Sequence, residues 1–143
     1  MTTRKVSVYV AGASAEAVNV TTWISRFTNA GIEITHDWTA DVFAHALTPQ
    51  DDLADETRRL YAQQDLEAVV RASIFWLIVP EKPSIGCYVE LGAALVTLKP
   101  IIYVSGAHRR TIFTSLATEC FDHHAEVFVK IVALARGSET EGT

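Results

Sequence analysis

The chain has 143 residues, of which 49% are hydrophobic and 20% are charged, and its formal net charge is −5. This composition excludes a disordered polypeptide and predicts one soluble globular domain with a sizeable core. The mild acidity and the absence of a run of Lys or Arg argue against a nucleic-acid polymer as partner, because phosphate contacts require basic side chains.

The cysteines and the amino-terminal residues bear on the cellular compartment. Cys87 and Cys120 lie in neither a CxxC spacing nor a Cys/His ligand spacing, so we expect no disulfide framework and no zinc site. The first residues, MTTRKVSVYVAG, contain too short an apolar run for a signal peptide, and no segment reaches transmembrane length. A reducing cytoplasm, without attachment to a membrane, is therefore the expected location.

Strand and helix patterns alternate from the amino terminus. Residues 6–11 (VSVYVA) are β-branched and apolar and predict a buried strand that ends at Gly12. A helix capped by Ser14 follows, and it runs to about residue 30. Residues 32–36 predict a short second strand. Residues 37–53 form a long excursion of polar and aromatic residues, a length that is typical of functional segments.

The second half of the chain continues the alternation of helix and strand. Residues 137–143 are polar and are expected to form a disordered tail after a single domain of residues 1–136. The elements predicted between the excursion and the tail are a helix at 55–71, a strand at 73–79, a helix at 84–98 with Ser84 as its cap, a strand at 100–104, a short helix at 111–117, a last short strand within 119–124 and a helix at 125–136.

This alternation predicts a single-domain, three-layer α/β/α fold of the flavodoxin-like or Rossmann-like type, with about five parallel strands. In such sheets the ligand lies outside the carboxyl ends of the strands. Glu90 lies less than two turns into the helix that follows the third strand, so it is near the expected cleft. The same edge supplies the candidate substrate contacts, which are Gly12, Ser14, Asp37, Trp38, Ser84 and Gly86.

Glu90 is a carboxylate in an otherwise apolar stretch of small residues, PSIGCYVELGAAL. A carboxylate that faces the core must be paired, protonated or used in chemistry. Spacing alone leaves two interpretations open. Glu90 lies on one helix face with Gly86, where small residues let a ligand approach, or it simply favours the positive end of the helix dipole at a wet edge. The phosphate-loop motifs GxxxxGK[ST] and GxGxxG are absent from the sequence, which argues against nucleoside triphosphates and dinucleotides.

Other polar residues have ordinary interpretations when each is taken alone. Asp65 is expected to be a solvated helix residue, Tyr9 a core residue, and Asp37 part of a turn at the end of a strand. The basic cluster at 108–110 is expected to be a solvated loop. The sequence DHH at 122–124 has no third ligand at helical spacing and is weak as a metal site.

Four segments in the same order resemble the nucleoside 2-deoxyribosyltransferase family, and in particular its 2'-deoxynucleoside 5'-monophosphate N-glycosidases. These segments are YVAG, DLEAVVRAS, PSIGCYVELGAAL and KPIIYV, and the resemblance extends over roughly residues 5–105. The most specific element is Ser-x-Gly-x-x-x-Glu-Leu-Gly, from Ser84 to Gly92. The resemblance implies hydrolysis of the N-glycosidic bond of (deoxy)nucleoside 5'-monophosphates to free base and (deoxy)ribose 5-phosphate, with neither a metal nor an organic cofactor.

The resemblance also implies roles for three side chains. The glutamate of the motif is the nucleophile of the family, which makes Glu90 the candidate for a covalent glycosyl ester. Asp65 matches the family aspartate that protonates the departing base or orients the glutamate. Tyr9 matches an aromatic residue of the sugar pocket, whose hydroxyl would bond the carboxylate and crowd the 2' position of the sugar.

Two further features of the resemblance concern the substrate. Family members that act on free nucleosides have Asp where this chain has Ser84, whereas the monophosphate hydrolases have Ser, which helps to hold the 5'-phosphate. The arginine that follows the first glycine in those hydrolases is missing here. Ser14 and backbone amides remain at that place, and Arg109 or Arg110 is a possible substitute.

Family members also borrow a polar residue from a neighbouring subunit. Thr114 or Ser115 falls at that place, so a homodimer is expected. The excursion at 37–53 is expected to cover the base through its aromatic residues. Two other functions stay open, namely deoxyribosyl transfer between bases on free nucleosides, which the missing arginine favours, and a nucleotide-binding module without catalysis.

Overall fold

The computed structural model describes residues 5–46, 48, 52–106 and 111–141. Short 3-10 helices lie at Ser14–Glu16 and Ile112–Leu116. The strands and α-helices of the described residues, in chain order, are β1 (Ser7–Ala11), α1 (Ala17–Asn29), β2 (Glu33–Ile34), α2 (Trp38–Ala44), α3 (Asp55–Arg71), β3 (Ile74–Ile78), α4 (Gly86–Val96), β4 (Ile101–Ser105), β5 (Glu119–Phe121) and α5 (His124–Glu141).

The five strands form one parallel sheet in the order β2-β1-β3-β4-β5. β2 lies on one side of β1, and the chain then crosses over to form β3 on the other side of β1. The order therefore reverses between β1 and β3, and the crevice outside their carboxyl ends is where this kind of sheet binds its ligands. The predicted fold class, a flavodoxin-like or Rossmann-like sheet of parallel strands, is confirmed.

Helices cover both faces of the sheet and make it the middle of three layers. On one face Trp76 of β3 packs edge-to-face against Trp23 and Phe27 of α1, and α5 packs beside α1. On the other face Tyr9 of β1 stacks on Phe75 of β3 at a centroid distance of 6.1 Å, beneath α3 and α4. Every residue of β1 and β3 is buried, which explains why their sequences are continuous apolar runs rather than alternating ones.

Two predicted helix caps are wrong. Ser14 begins a 3-10 turn, and α1 starts three residues later without a side-chain cap. Ser84 lies before Ile85, which is the residue that precedes α4, and no side chain caps that helix either. Ser84 instead acts on the Cys87 thiol: burial raises the pKa of this thiol, and the hydrogen bond of the Ser84 side chain opposes the rise.

The excursion at 37–53 contains a helix that the sequence pattern did not reveal. The carboxylate of Asp37 accepts a hydrogen bond from the backbone N–H of Thr39 at 3.0 Å and caps α2. At the other end of the chain, α5 continues past residue 136 to Glu141, because Gly137 weakens a helix without ending it. Among the described residues, no helix has both the length and the apolar character that a membrane span requires.

Candidate active site

Tyr9 and Glu90 meet beneath the edge at which the strand order reverses. Tyr9 is wholly buried in β1, and its hydroxyl donates a hydrogen bond to Oε2 of Glu90 in the second turn of α4. Glu90 is only 9% exposed. The carboxyl group therefore lies inside the protein, with a fixed donor on one oxygen, and the solvated helix edge that spacing alone left open is not its environment.

Burial changes the ionisation of both groups. Removal from water raises the pKa of Glu90 to about 8; the hydrogen bond from Tyr9 opposes this rise, and the nearby charge of Asp65 adds to it. Burial, followed by the charge of Glu90, holds the pKa of Tyr9 far above its ordinary value. Tyr9 is therefore a permanent hydrogen-bond donor to the glutamate.

Asp65 enters the same region from α3. Its side chain is 27% exposed, but Oδ1 is buried and has no hydrogen-bond partner within the described part of the chain. Burial raises the pKa of Asp65 to about 6, while His36 lowers it and Asp41 raises it further. A buried carboxyl oxygen without a partner is costly, and a polar group of a bound substrate would satisfy it.

The two carboxyl groups hold one proton between them near neutral pH, since their pKa values are about 6 for Asp65 and about 8 for Glu90. The higher pKa of Glu90, the more deeply buried group, favours the proton on its carboxyl group. The roles implied by the resemblance require the opposite arrangement, with a charged Glu90 and a protonated Asp65. Both arrangements contain one proton on the two carboxyl groups. Transfer of that proton from Glu90 to Asp65 gives the arrangement that the roles require.

His36 and Asp41 join this group, and the sequence did not single them out. Nε2 of His36 lies 3.0 Å from Oδ2 of Asp41 and 3.7 Å from Oδ1 of Asp65. One ligand-type atom from each of the three residues lies within 4.8 Å of the others, a spacing at which a divalent cation could also be held. The position of His36 after a strand, at the expected ligand-binding edge, was a weak sequence signal for a site residue. Asp41 lay in the excursion at 37–53, where no sequence signal pointed to it.

Asp37 and Trp38, two of the predicted substrate contacts, anchor α2 to the sheet. The indole Nε1 of Trp38 donates to the backbone oxygen of Val10 at 2.7 Å, and the ring is 7% exposed. Asp37 is committed to Thr39, as described above. The strand-end turn expected here is therefore a helix start, with Asp37 as the cap of α2 and Trp38 as its first residue. The buried Trp38 ring is not exposed for stacking on a base.

Gly12 and Ser14 follow β1 at the mouth of the crevice. A Cβ atom on Gly12 would lie 2.9 Å from Cγ2 of Val20, so glycine lets α1 pack closely against the end of the strand. Ser14 is exposed. The next residues contain Glu16, whose Oε2 accepts the backbone N–H of Glu81 at 3.2 Å, which ties the loop after β1 to the loop after β3.

Ser84 and Gly86 lie at the start of α4, one turn before Glu90. Ser84 is half-buried beside Cys87, and Gly86 is exposed. A Cβ atom on Gly86 would meet nothing within 4 Å. This end of the helix therefore has open space in front of it, close to the glutamate.

The two residues expected to serve a neighbouring subunit differ in accessibility. Thr114 is buried, and its hydroxyl donates to the backbone oxygen of Thr111 at 2.7 Å. Ser115 is exposed, and its hydroxyl donates to the backbone oxygen of Ile112 at 2.5 Å. Ser115 is thus the accessible member of the two. Arg109 and Arg110, the suggested phosphate ligands, lie outside the described residues.

No protein-family model matches this chain, and a search of the curated proteins finds no match. The functional interpretation therefore depends on the geometry of the site and on the sequence resemblance described above.

Proposed function

We propose that this protein hydrolyses the N-glycosidic bond of deoxynucleoside 5'-monophosphates, with Glu90 as the nucleophile. The observation that supports this most strongly is the buried Glu90 carboxyl held by the Tyr9 hydroxyl. Beside it lies the unpartnered oxygen of Asp65. A retaining glycosidase uses two carboxyl groups in different protonation states, one ionised as the nucleophile and one protonated as the acid.

In the first step, a carboxylate oxygen of Glu90 attacks the anomeric carbon as the bond from that carbon to the base nitrogen breaks. The electron pair of the broken bond goes to the base, and the proton of Asp65 neutralises it. The products are a glycosyl ester on Glu90, a free base and an ionised Asp65. Tyr9 orients the attacking carboxyl group, because its hydroxyl holds one of the two oxygens.

In the second step, water attacks the same carbon and the ester bond to Glu90 breaks. Asp65, now a carboxylate, accepts the proton of the water, and Glu90 leaves as a carboxylate. The sugar is released as deoxyribose 5-phosphate, and the pair regains its single proton. Two carboxyl groups and one water molecule balance both steps.

A phosphorylated substrate is supported by the start of α4. Ser84 lies there in place of the acidic residue that the resemblance associates with free nucleosides, and Gly86 leaves the backbone open. Backbone N–H groups at the beginning of a helix favour an anion. We therefore assign the 5'-phosphate to this end of the helix.

The proposal includes a homodimer. Apolar side chains are exposed on the outer faces of α3 and α4, which are adjacent helices, and an apolar surface of this kind is typical of a subunit contact. Ser115 is exposed and could then reach a neighbouring site. Sedimentation analysis measures the assembly directly. The exposed apolar side chains are Leu66, Val70, Val89 and Val96.

The function is tested by incubating the protein with each deoxynucleoside 5'-monophosphate and measuring the free base by chromatography. We expect base release that falls by on the order of 10³-fold or more in Glu90→Gln, since this change removes the nucleophile and keeps the shape of the side chain. Glu126→Gln, an exposed change on α5, is the matched control and should retain wild-type activity.

Base release by Glu90→Gln at the wild-type rate would contradict the proposal. So would the absence of release from every nucleotide and nucleoside. If nucleotides then raised the melting temperature without turnover, the protein would be a binding module instead.

A second candidate function is the transfer of deoxyribose between bases on free nucleosides. It is favoured by Glu16, whose carboxylate bridges the loops after β1 and β3 and would repel a phosphate at the mouth of the crevice. In the same assay, a nucleoside supplied together with a second base should give the exchanged nucleoside. Reaction of phosphorylated substrates alone would exclude this alternative.

A further inference from the structure

His36 and Asp41 form a hydrogen-bonded pair on the outer side of Asp65. His36 follows β2, and Asp41 lies on α2. The Nε2–Oδ2 distance between them is 3.0 Å. Because a carboxylate only accepts hydrogen bonds, the hydrogen resides on Nε2, and the contact fixes both the ring orientation and the position of that N–H.

The same N–H group also faces Asp65. Nε2 lies 3.7 Å from Oδ1 of Asp65, which is too long for a hydrogen bond but close enough for a strong electrostatic interaction. Asp65 therefore interacts electrostatically with Tyr9 and Glu90 as well as with His36 and Asp41. Its Oδ1 atom stays without a partner, and so it remains available to a substrate.

We propose that His36, held by Asp41, is a positioning residue that fixes the carboxyl group of Asp65 and sets its acid strength while the base departs. This inference rests on the proposed function. The bond to Asp41 keeps Nε2 of His36 3.7 Å from Oδ1 of Asp65, where its N–H acts electrostatically on the carboxylate as that group loses its proton. His36 then stabilises the charge that appears on Asp65 in the first step.

The charges around Asp65 give the two outer residues opposite effects. Burial is the largest influence on the pKa of Asp65; His36 lowers this pKa and Asp41 raises it. The other facing groups are Tyr9 from β1 and Glu90 from α4, which is coupled to Asp65. Removal of the imidazole should therefore make Asp65 a weaker acid, and removal of the Asp41 charge should make it a stronger one.

The test compares two leaving groups on the same sugar phosphate. A natural base needs the proton of Asp65, whereas 4-nitrophenolate, released from 4-nitrophenyl 2-deoxyribofuranoside 5-phosphate, leaves without one. We expect His36→Gln to slow base release by about tenfold, because the carboxylate that forms on Asp65 in the first step loses its electrostatic stabilisation by the imidazole N–H. Release of 4-nitrophenolate should stay within about twofold of wild type, and His123→Gln, an exposed change, should affect neither reaction.

The pH dependence of base release gives a second readout. His36→Gln should move the acidic limb of the profile to higher pH, and Asp41→Asn should move it to lower pH. In an Asp65→Asn background, His36→Gln should have no further effect, because a residue that acts through Asp65 has nothing left to act on.

Three results would overturn the inference. The first is an equal loss of both reactions in His36→Gln, which indicates a structural role. The second is no change in either reaction. The third is loss of wild-type activity in a chelator with recovery on addition of Zn²⁺ or Mg²⁺, which would make the three residues metal ligands. If the wild-type protein releases neither base nor 4-nitrophenolate, the proposed function itself fails, and the inference fails with it.

Discussion

At the scale of single residues, the site places two carboxyl groups in different degrees of burial. Glu90 is 9% exposed and burial raises its pKa to about 8, whereas Asp65 is more accessible and burial raises its pKa to about 6. The difference has a direct physical cause, since burial penalises the charged form of the deeper group more strongly. A buried carboxyl oxygen with no hydrogen-bond partner among the described residues is costly to the fold, and this cost supports our proposal that the oxygen of Asp65 serves a substrate.

The sharing of one proton predicts a bell-shaped pH profile for base release. Below about pH 6 both carboxyl groups are protonated and the nucleophile is lost; above about pH 8 both are ionised and the acid is lost. We expect kcat/KM to be greatest between these values. The measurement is the initial rate of base release from pH 4.5 to 9.5, with protein stability checked at each pH.

The same profile should change in Asp65→Asn. This variant retains a nucleophile but has no carboxyl acid, so its rate should be low and should rise with pH to a plateau without an alkaline decline. It should rise at lower pH than the alkaline limb of the wild type, because the charge of Asp65 no longer raises the pKa of Glu90. A wild-type rate that is flat across this range would contradict the assignment of the two groups.

The residues of the site were predictable to different extents. Tyr9, Asp65 and Glu90 could be named before the structure because a sequence motif and an order of segments pointed to them. The hydrogen bond from Tyr9 to Glu90 then follows from the packing of α4 over β1. His36 and Asp41 could not be named, because their contact with Asp65 depends on where α2 lies, and that helix was not predicted.

At the scale of elements, the approach of α1 to β1 depends on Gly12. A Cβ atom there would lie 2.9 Å from Cγ2 of Val20, which is wholly buried. We expect Gly12→Ala to lower the free energy of unfolding by about 1–3 kcal/mol, since the added methyl group overpacks the core. Thermal and urea unfolding measure the change. Val20→Ala in the same chain should recover part of the loss.

Gly92 provides the matched control for this substitution. It lies inside α4, and a Cβ atom there would meet nothing within 4 Å. Gly92→Ala should therefore leave the stability unchanged or raise it by up to about 1 kcal/mol, because alanine favours a helix more than glycine does. Equal losses in Gly12→Ala and Gly92→Ala would show that close packing at Gly12 is not the cause.

Elements with strong local patterns were predicted well, and elements that depend on contacts were not. The helix at 55–71 agrees with α3, Asp55–Arg71, because residues that favour helices fill it, with acidic residues in its first turn and Arg71 in its last. The continuous apolar run of β3 identified a buried strand. Helix α2 is only seven residues long, and its cap at Asp37 and the anchoring of Trp38 by Val10 become visible only when the sheet is in place.

At the scale of the whole molecule, topology explains why distant residues meet. The strand order β2-β1-β3-β4-β5 brings the ends of β1 and β3 together, and so it places α3 and α4 over Tyr9. The fold class followed from the alternation of helix and strand, since parallel neighbours require crossover connections. The strand order did not follow from it, because the sequence of elements alone permits several arrangements of the same strands.

The most direct test of the central claim, that Glu90 is a nucleophile, is to trap the glycosyl ester. A 2'-fluoro-arabinonucleoside 5'-monophosphate slows both steps, because fluorine destabilises the oxocarbenium-like transition state, and mass spectrometry of the digested protein locates any adduct. We predict one sugar-phosphate adduct on the peptide that contains Glu90, and none in Glu90→Gln. Base release by the wild-type protein without any adduct, together with base release by Glu90→Gln at a similar rate, would contradict the account.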